Sequence, residues 1–244
     1  MICIDNPRMD AYFNLAAEEY LLTRFSSDIF MLWQNEPSVI VGKHQDIRSE
    51  VNLDFIQENK IKVVRRFSGG GTVYHDSGNI NLTFIESNRR PEFDKFTKQI
   101  LELLSTIGIH AQADERRAIY IEGFKISGSA QYIRKDKVLY HATLLFSSNL
   151  TILKSTLDIQ YRYPKNNPET RLWRSVKSVK SPVTNISEHL SYPLQIKEFK
   201  KIVINYFINS SKDNSLYEFN KEDIAAITKL KQEKYATTVW NCQT

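Results

Sequence analysis

Three stretches of the chain combine residue types that could handle an anionic, activated substrate. The first, "RRFSGGGTVYHDSGNINLTFI" (65–85), sets three glycines in a row behind two arginines, in a chain with only 8 glycines. Consecutive glycines cost backbone entropy on folding, so such a run marks bare backbone that has to approach something closely. Free N–H groups in a glycine turn can form a concave nest for an anion, with Arg65 or Arg66 beside it to pair the charge. The plainer reading is a hairpin turn between solvated arginines. The second stretch, "GFKISGSAQYI" (123–133), alternates Phe124 and Ile126 with Lys125 and Ser127. An amine and a hydroxyl therefore project to one side, and Gly128 permits close backbone approach. Lys125 is either a solvated surface amine or a point charge for a phosphate. In the third, "VLYHATLLFSSNL" (138–150), Val138, Tyr140, Ala142, Leu144 and Phe146 share one face, while Leu139, His141, Thr143 and Leu145 share the other. A lone histidine among leucines is more often a core residue than a catalyst.

Familiar nucleotide motifs do not account for the glycines. The lysine and Ser/Thr that close a P-loop are missing. No helix follows the run, and its spacing does not fit a dinucleotide fingerprint. What remains is a glycine turn feeding a strand in which Ile80, Leu82 and Phe84 alternate with Asn79, Asn81 and Thr83. One face of that strand meets a core and the other offers amides and a hydroxyl, to a ligand or to water. His75 and Asp76 sit at the tip of the preceding strand.

These side chains need a frame. Helical periodicity runs through "DAYFNLAAEEYLLTRF" and "FDKFTKQILELLSTIG", and again near 195–209 and 221–235. Strand patterns occupy 29–34, 38–42, 62–66, 71–75, 79–85, 118–121, 124–133 and 137–147. Residues 158–182, rich in Pro, Asn and basic side chains, read as a long surface loop. Strands gathered in the first 150 residues without strict strand–helix alternation predict an α+β fold on a mixed, largely antiparallel sheet flanked by helices. At 244 residues the chain suits one large domain or two small ones.

Hydrophobic content of 41% and charged content of 25% are ordinary for a soluble globular protein, and no run approaches a membrane span. The start of the chain lacks a secretory pattern, and Cys3 and Cys242 form neither a metal spacing nor a disulfide framework. A cytoplasmic protein is the expectation. A net charge of +5 favours acidic partners in general.

Taken in order, "RRFSGGGTVYHDSGNIN", "KISGSAQ", "HATLL" and "SPVTNI" (181–186) resemble the lipoate–protein ligase A family, including its lipoyltransferases. "FNLAAEEYLL" (13–22) and "YATTVWN" (235–241) extend the match over almost the whole chain. The resemblance implies a single catalytic domain over 1–244, built like biotin–protein ligases and related to class II aminoacyl-tRNA synthetases. It implies activation of lipoate with Mg-ATP to lipoyl-AMP, then transfer of the acyl group to a lysine of an acceptor. The acceptors it implies are apo lipoyl domains of 2-oxoacid dehydrogenase complexes and the glycine-cleavage H protein. Carried over by position, Lys125 would be catalytic, bridging acyl carbonyl and α-phosphate. Arg66, Ser68, Gly69, Gly70, Gly71, Tyr74, His75, Asn79, Ser127, Ala130, His141 and Thr143 would line the acyl and adenylate site, with no protein metal site.

The family pattern is broken at two places. Arg117 and Ala118 stand where an Asn-Asp pair is expected, with Asp114, Glu115 and Glu122 as nearby acids. Ala142 follows His141 where glycine is usual. Longer members continue past the "WN" segment into an accessory domain that supports adenylation, which leaves three expectations: a transferase that uses preformed lipoyl-AMP, a ligase that needs a separate accessory protein as partner, or a chain that performs both steps alone. The competing readings are an octanoyltransferase of the same fold, which needs a cysteine thioester or cysteine–lysine pair; a non-catalytic lipoyl-AMP sensor; and, less well fitting, a biotin ligase. The basic "TRLWRSVKSVKSP" (170–182) suits an acidic acceptor domain better than nucleic acid.

Overall fold

The computed structural model describes residues 1–87, 91–158 and 176–242. The elements, in chain order, are β1 (Ile2–Asp5), α1 (Ala11–Arg24), β2 (Ile29–Trp33), β3 (Ser38–Val41), α2 (Leu53–Glu58), β4 (Lys62–Arg65), β5 (Val73–His75) and β6 (Asn79–Ser87). They continue with α3 (Asp94–Thr106), β7 (Gln112–Ala113), β8 (Ile119–Ile121), β9 (Phe124–Ser127), β10 (Ser129–Arg134) and β11 (Lys137–Leu145). Then follow α4 (Leu150–Leu157), α5 (Ile196–Asn209), β12 (Ser215–Leu216), α6 (Lys221–Leu230) and α7 (Thr238–Asn241).

The main sheet runs β10-β11-β6-β2-β1-β12. Its first four strands pair antiparallel, and β2, β1 and β12 pair parallel. Strand alternation sends the two side-chain sets of each strand into different cores. Ile80, Leu82 and Phe84 of β6 and Tyr140, Ala142 and Leu144 of β11 pack with α3 and α5. Met31 and Trp33 of β2 face α1 and the small β4-β3-β5 sheet on the opposite side. A third core joins the outer face of that small sheet to α2 and α4. Both α3 and α5 follow the sequence pattern, with Phe96, Ile100, Leu103 and Leu104 buried on one and Phe199, Val203 and Phe207 on the other. In α1, Asp10 caps the N-terminus by accepting from the Tyr12 N–H.

The architecture agrees with the α+β expectation, and the differences are local. The continuous strand expected over 124–133 breaks at Gly128 into β9 and β10, which belong to different sheets. The Thr143 N–H donates to the Gly128 carbonyl at 2.9 Å. The Gly128 N–H donates to Thr143 Oγ1 at 3.2 Å, so β11 holds the break in place. The strand expected from residue 71 starts at Val73, because Gly70 and Gly71 are spent in the turn. Short elements such as β1, α2 and α4 were not visible as patterns. Of the expected 158–182 loop, residues 159–175, including Trp173, lie outside the described residues.

Candidate active site

A cavity of about 290 Å³ opens between the main sheet and the small sheet, with the β7–β9 hairpins and residues 177–181 along its other sides. Its floor follows from strand register. Thr143 lies opposite Asn81 and Asn81 opposite Trp33, while Ala130 lies opposite His141 and His141 opposite Thr83. Leu15, Ile40, Val73 and Ala142 add apolar wall; Asp114, Arg116, Tyr120 and Lys125 form a charged side.

Both arginines of the glycine motif turn inward. Arg65 is fully buried and donates through Nη1 to the carbonyls of Gly42 at 2.9 Å and Gln45 at 2.7 Å. The terminal "WN" segment closes over it: Asn241 Oδ1 accepts from the Arg65 N–H and Trp240 Nε1 donates to the Arg65 carbonyl, both at 2.8 Å. Arg66 curls back on its own loop. Nη2 donates to the carbonyls of Gly69 at 2.6 Å and Gly71 at 2.7 Å, and Nη1 donates to the carbonyl of Ile40 at 3.1 Å. Burial lowers the Arg66 pKa to about 10 against the pull of Glu18, so the guanidinium stays charged at neutral pH.

The Gly69 and Gly71 carbonyls thus face the Arg66 clamp, while the N–H groups of Gly69, Gly70 and Gly71 have no acceptor among the described residues. Gly70 takes φ +88°, and a Cβ there would meet Arg66 Nη2 at 2.9 Å. Gly42 is needed for a different reason: a Cβ there would lie 2.1 Å from the Gly70 carbonyl oxygen. The turn is therefore a cradle of free donors braced from behind, as a backbone anion site requires.

Behind the floor runs a buried polar chain. Trp33 Nε1 donates to Thr83 Oγ1 at 2.8 Å and Thr83 Oγ1 donates to Glu18 Oε1 at 2.6 Å. His141 Nδ1 meets the same Glu18 oxygen at 2.9 Å, and His141 Nε2 meets Ser68 Oγ at 3.0 Å. A carboxylate can only accept, so Nδ1 carries a proton and holds the ring in place. The order Ser–His–Glu imitates a hydrolytic relay. Ser68, however, is fully buried, lies off the cavity wall and accepts from Arg66 Nε at 3.1 Å, leaving a substrate no line of approach.

Lys125 is held by its backbone. Its N–H donates to the Pro182 carbonyl at 2.8 Å, and its carbonyl accepts from the Thr184 N–H at 3.3 Å. Its side chain bends over Gly128, with Nζ 3.6 Å from where a Cβ would stand. Among the described residues no side chain or carbonyl accepts from that amine. Burial lowers its pKa, with Arg116 adding to the effect and Asp114 opposing it.

Of the residues expected from sequence, Arg66, Gly70, Gly71, His75, Lys125, Ala130, His141 and Thr143 line one cavity. Five do not. Tyr74 alternates away from Val73 and His75 into the third core. Ser68 and Gly69 form the back of the loop; Asn79 donates to Asn81 Oδ1 at 3.0 Å from behind the wall, and Ser127, next in sequence to the lining Gly128, is buried off the wall. Asp114 reaches the cavity, whereas Glu115 and Glu122 do not. Missed at the sequence level were Glu18, Trp33, Gln45 and Ser178. Ser178 Oγ accepts from the Thr72 N–H at 2.8 Å and from Gln45 Nε2 at 3.1 Å, and it bonds to the Glu50 carboxylate. This network lays the segment carrying Lys177 and Val179 against the glycine loop. Helical spacing in "FNLAAEEYLL" was the one available signal for Glu18, which lies among the inward residues of α1.

The family model for the lipoyl protein ligase A/B catalytic domain matches residues 10–208. The chain is 38% identical over 242 residues to lipoate–protein ligase 1 of Staphylococcus aureus, covering 97% of this chain and 71% of that protein. P. falciparum LipL1 in complex with lipoate superposes with a TM-score of 0.80 at 25% identity, over 100% of this chain and 74% of the other. The bi-partite lipoate protein ligase of Thermoplasma acidophilum, solved in a study with its E2 lipoyl domain, gives a TM-score of 0.78 at 24% identity, over 99% and 95%.

Proposed function

The chain belongs to the lipoyl protein ligase A/B catalytic domain family, and we propose that it is a lipoate–protein ligase or lipoyltransferase whose reaction takes place in this cavity. The observation that carries the reading is one cavity bounded by an amine without a hydrogen-bond acceptor among the described residues, a cradle of free N–H groups, and an apolar wall.

A carboxylate is a poor electrophile. Joining lipoate to AMP, with release of pyrophosphate from ATP, makes its carbonyl attackable. The acceptor's lysine amine then forms the C–N bond as the C–O bond to AMP breaks, and the amine's proton is lost. Charge grows on the carbonyl oxygen and the departing phosphate, and Lys125 and the Gly70 and Gly71 N–H groups are the donors that meet it. Arg66 acts through the loop it braces, not by pairing the ligand directly. Thr143 and Asn81 supply the polar floor beneath the reacting end, and Trp33, Leu15 and Ile40 the walls of the acyl chamber.

Magnesium would enter with ATP. Among the described residues no group of three or more His, Cys, Asp or Glu gathers to hold a metal. Asp114, the one carboxylate on the wall among the described residues, already accepts at Oδ1 from the N–H groups of Arg116 and Ala118 and at Oδ2 from Tyr120. Magnesium that comes with ATP would keep the nucleotide's phosphates and water as its main ligands. The thioester route of an octanoyltransferase finds no support either: Cys3 is buried in the core and neither cysteine lines the cavity. The acceptor is an apo lipoyl domain or H protein, whose acidic surface suits a chain of net charge +5.

Purified protein mixed with an apo lipoyl domain, and supplied with lipoate plus Mg-ATP or with lipoyl-AMP, tests the reading by acceptor mass. A lipoyl increment under both conditions marks a complete ligase, and an increment with lipoyl-AMP alone marks a transferase. No increment in either arm overturns the proposal.

A further inference from the structure

The segment at 176–181 is pinned on both sides of one lysine. Before it, the Val176 N–H donates to the His44 carbonyl at 3.2 Å, and the Val176 carbonyl accepts from Gln45 Nε2 at 3.1 Å. After it, Ser178 Oγ accepts from the Thr72 N–H at 2.8 Å and from Gln45 Nε2 at 3.1 Å. The Ser178 N–H donates to Glu50 Oε2 at 3.2 Å. Gln45 and Glu50 are both buried, and the two protons of one amide hold the chain on either side of Lys177. Lys177 itself lines the cavity. The residue is exposed, and its amine has no acceptor or ion-pair partner among the described residues.

These anchors set the distance from Lys177 to the glycine cradle. A Cβ on Gly71 would lie 3.4 Å from the Ser178 Cα. Consecutive Cα atoms are about 3.8 Å apart, so the Lys177 Cα stands within about 7 Å of that position. Five single bonds carry the amine roughly 6 Å from its Cα. Nζ therefore reaches the space in front of the Gly70 and Gly71 N–H groups. Among the described residues two lysines line the cavity, Lys125 and Lys177, and their surroundings differ. Lys125 bends over Gly128, where its ammonium meets the ligand's charge and has no lone pair to offer. Lys177 stands at the water-exposed rim, where an ammonium can release its proton to solvent and become a nucleophile.

Resting on the ligase reading, we propose that Lys177 is a self-acylation site, taking the acyl group from the chain's own acyl-adenylate when no acceptor fills the cavity mouth. The bond from Lys177 Nζ to the acyl carbon forms as the C–O bond to AMP breaks. AMP leaves as the phosphate anion, and the proton of the attacking amine passes to water. The product is an amide, the same bond an acceptor lysine receives. A tethered amine acts at an effective concentration on the order of millimolar, so only a docked acceptor outcompetes it. Acylation also removes one positive charge from the rim and leaves the acyl chain tethered at the cavity.

The purified chain is incubated with lipoyl-AMP and no acceptor, its intact mass is followed, and the acylated residue is located by peptide mapping. Lys177→Arg keeps the charge and deletes the nucleophile. Lys180→Arg, an exposed position off the cavity wall, controls for acylation from solution. The expected result is one acyl increment at Lys177, slowed about tenfold or more in Lys177→Arg, unchanged in Lys180→Arg and suppressed by added apo lipoyl domain. Label spread evenly over exposed lysines, label on Lys125, or a wild-type rate in Lys177→Arg overturns the assignment. A parallel reaction with an apo lipoyl domain keeps the two readings apart. Transfer to that domain without self-acylation overturns the Lys177 assignment and leaves the ligase reading intact, whereas failure of both reactions overturns both.

Discussion

The glycine loop makes a sharp prediction because neighbouring glycines occupy different surroundings. At Gly70 an added Cβ meets Arg66 Nη2 at 2.9 Å and Ala130 Cβ at 3.2 Å, on a backbone with φ +88°. At Gly69 nothing lies within 4 Å and the backbone is not left-handed. The left-handed conformation costs an L-residue about 1–2 kcal/mol. Displacing Arg66 Nη2 from the Gly69 or Gly71 carbonyl forfeits a charge-assisted hydrogen bond worth about 1.5–3 kcal/mol. Gly70→Ala should therefore lose roughly 2.5–5 kcal/mol, which in a chain of this size lowers the melting temperature by about 5–20 °C. Gly69→Ala should stay within about 0.5 kcal/mol of wild type, or gain slightly from reduced freedom of the unfolded chain. Urea unfolding followed by circular dichroism, with acyl-adenylate binding measured on the same samples, checks both. Equal destabilisation by the two substitutions, or a neutral Gly70→Ala, would refute the argument that Arg66 braces this loop from behind.

Other outcomes follow from single contacts. Lys125→Ala should cut transfer from lipoyl-AMP by about 10²–10³-fold while leaving the melting temperature unchanged, since no side chain or carbonyl among the described residues depends on that amine; Lys125 drops out of the mechanism if turnover persists. Asn241→Ala leaves the buried Arg65 N–H without its 2.8 Å acceptor and should cost about 1–3 kcal/mol in urea unfolding. Asp223 gives an acid-side test. Burial alone would raise its pKa, but hydrogen bonds from Tyr217 and Tyr20 outweigh that and hold it below the usual value. Its contribution is complete above the unfolded carboxylate pKa of about 3.9 and is lost as pH falls through the lower folded value. Asp223→Asn should flatten the loss of stability below about pH 4. Tyr20 and Tyr217, each raised to about 12 with Asp223 among the causes, should lose their contribution as pH climbs from about 10 to about 12.

Much of this site was legible in order along the chain. Strand alternation is local, so the two-faced reading of 79–85 and 138–147 follows from backbone geometry alone: Ile80, Leu82 and Phe84 enter one core, and Asn81 and Thr83 turn to the other side. The glycine run, the lysine strand and the histidine strand were each recognisable because their residue types are unusual for where they sit. Direction was not legible. Two adjacent arginines look like ligand partners, yet Arg65 reaches Gly42 and Gln45 and Arg66 reaches Ile40, because only the fold shows which carbonyls lack other donors.

Sequence alone determined the chemistry on offer, namely an amine, a glycine turn, a histidine and the faces they occupy, because these depend on residue type and on a period of two. Tertiary structure decided their roles. Strand order places Gly128, Thr143, Asn81 and Trp33 in one row from segments spread over more than ninety positions, and it sets Lys125 and His75 at opposite ends of it. It also gives Glu18 to His141 and lines Asn6, Asn14 and Asn35 up with the His75 ring. Hydrogen bonds between residues far apart in the chain have no sequence period, so they appear only once the strands are aligned.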